Sequence, residues 1–352
     1  MIVFLVIVFL VLLIIVHELG HFLAAKLFKV RVEEFGIGFP PRLWIKKAGE
    51  TVYSFNALPL GGFVKLFGEN ISDDEKISEE EKQSSFQHQP SWKRAVVMFA
   101  GTGMNFIAGW LIISSIFMLG IPPGLAISQV VTDSPAESAG FKVNDFILAV
   151  SANGASVLEP KTPDEFVNFV KEFRGQELLI AVNRAGQTVE LKAVPRIDAA
   201  ENEGALGIAV VQKGIEKLYP PAAIYEGLKT AASISYLIAA ALGQMLVGAF
   251  SGQPVLENLV GPIGIFGIAV NAGQIGIIYL LQLVALISLN LMVINLIPLV
   301  PFDGGKLLFI IIEKIKGSAL SLRTEQTATA IGIALIIPLF IVVIVRDIIK
   351  FF

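Results

Sequence analysis

The chain has 352 residues, of which 54% are hydrophobic and 16% charged, with a formal net charge of −3. A soluble domain usually carries about 25% charged residues, so the shortage points to lipid contact, and the near-neutral balance argues against nucleic acid as a partner. There are no cysteines, which excludes disulfides and thiolate metal sites and leaves His, Asp and Glu as metal ligands.

Four stretches reach the roughly 20 apolar residues needed to span a bilayer. The first runs from Met1 to about Ala25. It lacks the basic start of a cleaved signal peptide, so it reads as a retained anchor. The second runs from about Ala95 to Leu119, the third from about Gly276 to Pro298 and the fourth from about Ala328 to Val345. Lys26, Lys29 and Arg31 flank the first span, and Lys93 and Arg94 precede the second. By the positive-inside rule the loop between them is cytoplasmic, and the segment from about Gly124 to Arg196 lies outside.

Within the cytoplasmic loop, Tyr53 to Leu66 reads as a hairpin turning at Pro59 and Gly61-Gly62. Ser72 to Gln83 is a charged tract, read as a solvated loop or short surface helix. The outer segment alternates apolar strands with turn signals, including Asn144-Asp145, Asn153-Gly154 and Ala185-Gly186, around a helical stretch from Asp164 to Phe173. It reads as a small α/β domain. Ala222 to Phe250 is helical and apolar. If it crossed alone, the third span would end outside, so it is expected to lie at the membrane surface.

Two of the three histidines, His17 and His21, stand four apart at the end of the first span, with Glu18 between them. That spacing puts both imidazoles on one helix face, able to reach one zinc, with a carboxylate base beside them. Ionisable groups at membrane depth are costly and default to a functional reading. A catalytic zinc usually takes a third protein ligand. His88 is one candidate, but Gln87-His88-Gln89-Pro90 reads as a solvated loop. Asp303 is the better one: it follows the third span, two glycines succeed it, and topology brings it to the depth of His17 and His21. Asn290 and Asn295 interrupt the third span, either as interhelical hydrogen-bonding groups or, for Asn295, as a donor to a substrate carbonyl.

These residues together resemble the site-2 protease family, the zinc metalloproteases that cut within membranes, and most nearly its bacterial regulator-of-sigma-E type. The motifs are His17-Glu18-Leu19-Gly20-His21, Asn295 to Gly305 with Asp303, Pro59 to Lys65, Trp92-Lys93-Arg94 followed by Met104-Asn105-Phe106, and Gly261 to Ile265. Three local departures stand out. Pro298 and Pro301 are separated by Leu299-Val300, Ala100-Gly101-Thr102-Gly103 lacks a common proline, and Asn144-Asp145 replaces Gly-Asp. The resemblance implies Zn2+ on His17, His21 and Asp303, Glu18 as general base, and Asn295 supporting the substrate or transition state. It also implies a multi-pass α-helical membrane protein of about four spans, with a membrane-associated β-hairpin and one extracytoplasmic PDZ-like domain.

The implied layout is 1–120 for the first two spans and hairpin, 121–196 for the PDZ-like domain, 197–260 for a linker and surface helix, and 261–352 for the last two spans. Expected partners are single-pass membrane proteins (an anti-sigma factor or remnant signal peptides, for example), the lipid bilayer, and peptide C-termini at the PDZ-like domain. The expected location is the bacterial inner membrane, with the active site near its cytoplasmic side. Gly61, Gly62, Phe63, Val64 and Lys65 are the candidate strand that clamps an unwound substrate. Two rival classes are a metal-moving or metal-sensing membrane protein, which needs a polar path across the spans, and a PDZ scaffold, which needs no catalytic base.

Overall fold

The computed structural model describes residues 2–69, 78–152, 156–184, 187–198, 204–252 and 260–351. The expected turns at Asn153-Gly154 and Ala185-Gly186, and the start of the charged tract at 72–77, lie outside these residues. In chain order the elements are α1 (Ile2–Leu27), β1 (Val32–Ala48), β2 (Thr51–Leu66), α2 (Glu79–Ser84) and α3 (Ser91–Leu119). Next come β3 (Ile121–Val130), α4 (Pro135–Ser138), β4 (Phe146–Ala152), β5 (Ser156–Leu158), α5 (Pro163–Glu172), β6 (Leu178–Arg184), β7 (Gln187–Ala193) and β8 (Ile208–Ile215). The chain finishes with α6 (Pro220–Phe250), α7 (Pro262–Ile275), α8 (Ile277–Asn295), α9 (Asp303–Lys316) and α10 (Leu322–Phe351). They divide into two compact units, residues 1–113 with 224–270 and 281–352, and residues 114–223 with 271–280.

The first unit is built on long apolar helices. At 1.5 Å per residue, the 26 residues of α1 reach about 39 Å, more than the roughly 30 Å of a bilayer's hydrocarbon core. Val6, Leu13, Gly20 and Ala24 are buried, and their spacing by sevens and fours makes one stripe of the helix. Val3, Phe4, Ile7, Leu12 and Leu23 are exposed, an apolar outer face of the kind lipid contact requires. Among the described residues, α1, α3, α6, α8 and α10 are long and apolar enough to cross a membrane. The sequence suggested four such spans. The additional helix is α6, which was expected at the surface. Its 31 residues meet the length and composition of a span.

Asp347 in α10 fixes the start of α7. Its Oδ1 accepts from the Gly261 amide at 3.1 Å and its Oδ2 from the Gly264 amide at 2.7 Å, which satisfies helix-start donors that would otherwise be orphaned in an apolar setting.

The hairpin differs from the sequence expectation. Its turn is at Gly49-Glu50, where Gly49 takes φ +63, a conformation that suits a residue without Cβ. Pro59 to Gly62 lies inside β2. The proline and glycine signals therefore mark a bend in a long ribbon rather than its end. Opposite them, Pro40-Pro41 falls at a register shift between Phe39 and Arg42, the kind of irregular position where a strand tolerates proline. Because the ribbon bends, Glu34 to Ile37 has partners on both sides. Lys65, Val64, Phe63 and Gly62 lie along one flank, and Val52, Tyr53, Ser54 and Phe55 along the other. Buried Glu34 accepts from Ser54 Oγ at 2.7 Å and from Arg42 Nη2 at 2.7 Å, so its charge is paired inside the fold.

The second unit carries a six-stranded sheet, ordered β7-β6-β4-β3-β8 with β5 paired to β4. Thr162 caps α5, its hydroxyl accepting from the Glu165 amide, and Pro163 suits the first helical turn. Phe166 and Val170 of α5 join Leu125, Ile127, Ile147, Val150, Leu178 and Ile180 in the core. Strand β8 comes from the stretch read as a linker. Asn144 takes φ +72, which explains why Asn stands where Gly is common: Asn tolerates this left-handed region. Buried Asp145 beside it accepts from Arg184 Nε at 2.8 Å and Nη2 at 2.6 Å, and from the Lys142 amide at 2.9 Å.

Candidate metal centre and active site

Three chain segments meet at the site, all in the first unit. Helix α1 supplies His17, Glu18 and His21. Helix α3 packs directly against it, because Gly20 and Gly101 have no side chains. A Cβ on Gly20 would overlap the Ala100 carbonyl, and a Cβ on Gly101 would overlap the His21 ring. Gly101 thus makes room for a ligand. Asp303 begins α9, which folds tightly onto the turn before it. A Cβ on Gly304 would overlap the Leu296 and Ile297 carbonyls, and one on Gly305 would press on Val300. Gly332 of α10 similarly admits the Val300 carbonyl. The two glycines after Asp303 therefore set where its carboxylate sits.

The result is a triangle of lone-pair atoms. His17 Nε2 and His21 Nε2 are 3.3 Å apart. Asp303 Oδ2 lies 3.3 Å from the first and 3.2 Å from the second. His21 Nδ1 donates to the Val97 carbonyl at 2.8 Å, which leaves its Nε2 as the unprotonated atom of a neutral ring. Among the described residues these three form the one His, Asp and Glu group close enough to share a cation. Ligands about 2.0–2.1 Å from a tetrahedral zinc stand about 3.3–3.4 Å from one another. The observed triangle matches that spacing, and Asp303 Oδ2, buried without a hydrogen-bond donor of its own, is an acceptor waiting for a cation.

The triangle opens on a cavity of about 170 Å³. Glu18, Gly62, Phe63, Val64, Glu69 and Lys306 line it together with the three ligand candidates. Gly62 lies against Glu18: a Cβ there would come 2.9 Å from Glu18 Cγ. The residues singled out from the sequence divide as follows. His17, Glu18, His21, Asp303, Gly62, Phe63 and Val64 line the cavity. Gly61 packs against the Phe39 ring, and Lys65 pairs with Glu33 at 2.8 Å. Asn295 closes α8 outside the lining. His88 bonds Ser85 Oγ at 3.0 Å and takes no part.

Three further neighbours carry no sequence motif of their own. Lys306 and Glu69 form an ion pair at the cavity wall. Lys306 stands three residues after Asp303, one helical turn on, so the i, i+3 rule could have found it. Asn105 of α3, noted only as part of a motif, has its Nδ2 3.3 Å from His17 Nδ1. Nothing local in the sequence joins residues 88 apart.

The sequence profile of peptidase family M50 matches residues 5–339. The chain belongs to this family, the site-2 protease family. A similar protein of Clostridium acetobutylicum, named as a zinc metalloprotease, is 31% identical over 344 residues, covering 96% of this chain and 94% of the relative. One of Nostoc, named likewise, is 31% identical over 349 residues, covering 95% and 92%. The regulator of sigma-W protease RasP of Bacillus subtilis is 28% identical over 419 residues, covering 96% and 95%. This family member is a zinc metalloprotease of the membrane, and its cofactor is Zn2+.

The close fit at Gly101 gives a direct test. Gly101→Ala is expected to push the His21 ring off its position. A displacement near 1 Å at a catalytic centre costs about 10²-fold in rate, and peptide-cleavage assays of the purified variant should show a loss of that order.

Proposed function

We propose that the chain cleaves transmembrane segments of single-pass membrane proteins, with His17, His21 and Asp303 holding zinc and Glu18 as general base. The observation that carries this reading is the 3.2–3.3 Å triangle beside a carboxylate, on a helix long enough to span a bilayer. Zinc, when bound, polarises a carbonyl and lowers the pKa of water toward about 7.

The protein's own groups do the rest. Glu18 takes a proton from the attacking water and returns it to the leaving amine nitrogen. The Gly62 backbone against its stem limits its rotamers. Asn295, outside the cavity lining, is proposed to contact the substrate backbone rather than the reacting atoms.

A helical substrate hides its carbonyls in its own hydrogen bonds, so it must unwind and be held. Among the described residues, Gly62 to Lys65 pairs with β1 along one edge, and Gly62, Phe63 and Val64 line the cavity with their segment. An unwound substrate is proposed to add as a strand on the other edge. The natural absence of cysteine makes this easy to check. In a Glu18→Gln background, single cysteines at Val64 or Lys65 are expected to form disulfides with a cysteine near the scissile bond of a bound substrate. A cysteine at Lys47, near the ribbon's turn, is expected to give none. Cross-linking at Lys47 but not at Val64 or Lys65 would remove the clamp from the reading.

The second unit is proposed to be a PDZ-like domain on the extracytoplasmic side of the inner membrane, with the active site near the cytoplasmic face. The side assignment rests on Lys26, Lys29, Arg31, Lys93 and Arg94. A groove of about 300 Å³ runs between α5 and β8, with Val167 and Lys171 of α5 and Arg174 just after it on one wall, and Leu206 just before β8 with Ile208 and Val210 on the other. β8 ends the sheet order, leaving an edge for an added peptide strand, and the two cations suit a terminal carboxylate. That favours peptide binding over a purely steric filter.

A further inference from the structure

We propose that Asn105 is a positioning residue for the metal centre, holding His17 in the tautomer that frees Nε2 for zinc. The inference rests on the zinc reading above and assigns a role to a residue outside the ligand set.

His17 Nε2 is the ring atom that meets His21 Nε2 and Asp303 Oδ2. For it to offer a lone pair, the neutral ring must carry its proton on Nδ1. The group facing Nδ1 is the Asn105 amide, with Nδ2 3.3 Å away. In that orientation a ring N–H would meet an amide N–H, donor against donor. Meanwhile the other end of the same amide, Oδ1, is buried without a hydrogen-bond partner. Both faults have one cure. Turning the amide by half a revolution exchanges oxygen and nitrogen in nearly the same volume, and Oδ1 then accepts the Nδ1 proton. The orphaned acceptor and the required tautomer thereby account for each other.

The arrangement parallels that of His21, whose Nδ1 donates to the Val97 carbonyl. Helix α3 then supplies the acceptor to both rings, a backbone oxygen for one and a side-chain oxygen for the other. Such acceptors fix a ligand's ring orientation and raise its basicity. Asn105 is itself held in place. It is fully buried, and its backbone carbonyl accepts from Ser288 Oγ of α8 at 2.7 Å. A residue serving only as packing would behave differently on substitution from one serving as an acceptor.

The test compares Asn105→Leu, which keeps the size and removes the acceptor, with Asn105→Asp, which keeps the acceptor. Zinc affinity of the purified full-length chain is read by competition with a chromophoric chelator, and thermal unfolding is followed in the metal-free state. Loss of an acceptor behind a metal-bound His typically costs about 10–100-fold in affinity, so N105L is expected to fall by that factor and N105D to stay within about threefold of wild type. Wild-type affinity in N105L overturns the proposal, as does an equal loss in both variants. If N105L does not fold, N105D decides alone: retained affinity supports the acceptor role and a tenfold loss overturns it. A wild-type chain that takes no zinc would overturn the zinc reading and this inference with it, an outcome distinct from a defect confined to N105L.

Discussion

Replacing Asp303 by Ala is expected to abolish both zinc retention and cleavage. Asp303 Oδ2 is one corner of a triangle whose sides are 3.2–3.3 Å. Glu18 lines the same cavity, but among the described residues the ligand group contains only His17, His21 and Asp303. Substitution of a group behind a ligand costs about 10–100-fold in metal affinity, so removing the ligand itself should cost more than about 100-fold. Metal analysis of the variant after dialysis against a weak chelator checks this. Near-stoichiometric zinc in Asp303→Ala would mean that the third ligand lies elsewhere.

Glu18→Gln is expected to separate binding from chemistry. Gln has nearly the same shape and would fit against Gly62, yet it cannot take a proton from water at neutral pH. General acid–base catalysis contributes about 10²–10⁴-fold, so cleavage should fall by a factor in that range while zinc content stays at the wild-type level. The pairing of the two variants is informative. Asp303→Ala loses metal and activity together, and Glu18→Gln loses activity alone. A Glu18→Gln protein that cleaves normally would end the role of Glu18 as base.

The parts of this site that were legible in the sequence are those fixed by short-range geometry. His17 and His21 sit one helical turn apart, so the α1 period alone places them on one face. Asp303 was reached by matching depths of two spans, with Gly304 and Gly305 hinting at close packing. The remainder depends on contacts that no local pattern encodes. Asn105 reaches His17 only because Gly20 and Gly101 let α3 approach α1. Glu69 meets Lys306 across 237 positions of chain.

In the fold, the strong turn signals at Pro59 and Gly61-Gly62 fell inside a 16-residue strand, because a proline or glycine marks irregular backbone without saying whether the strand ends there. The actual turn is at Gly49-Glu50, where Gly49 takes the positive φ. Strand β8 has no local signal because its partner, β3, lies some eighty residues earlier. Helix α6 has the length and apolarity of a span, and its expected place at the surface rests on the parity of crossings alone.

The most direct test of the central claim is a map of the cleaved bonds. The purified chain and a single-pass membrane protein are reconstituted together in liposomes with zinc, and the products are identified by mass spectrometry. The expected result is scission within the transmembrane segment, lost on chelation and in Glu18→Gln. Cleavage confined to residues outside the membrane, or unchanged by chelation and by Glu18→Gln, would contradict it.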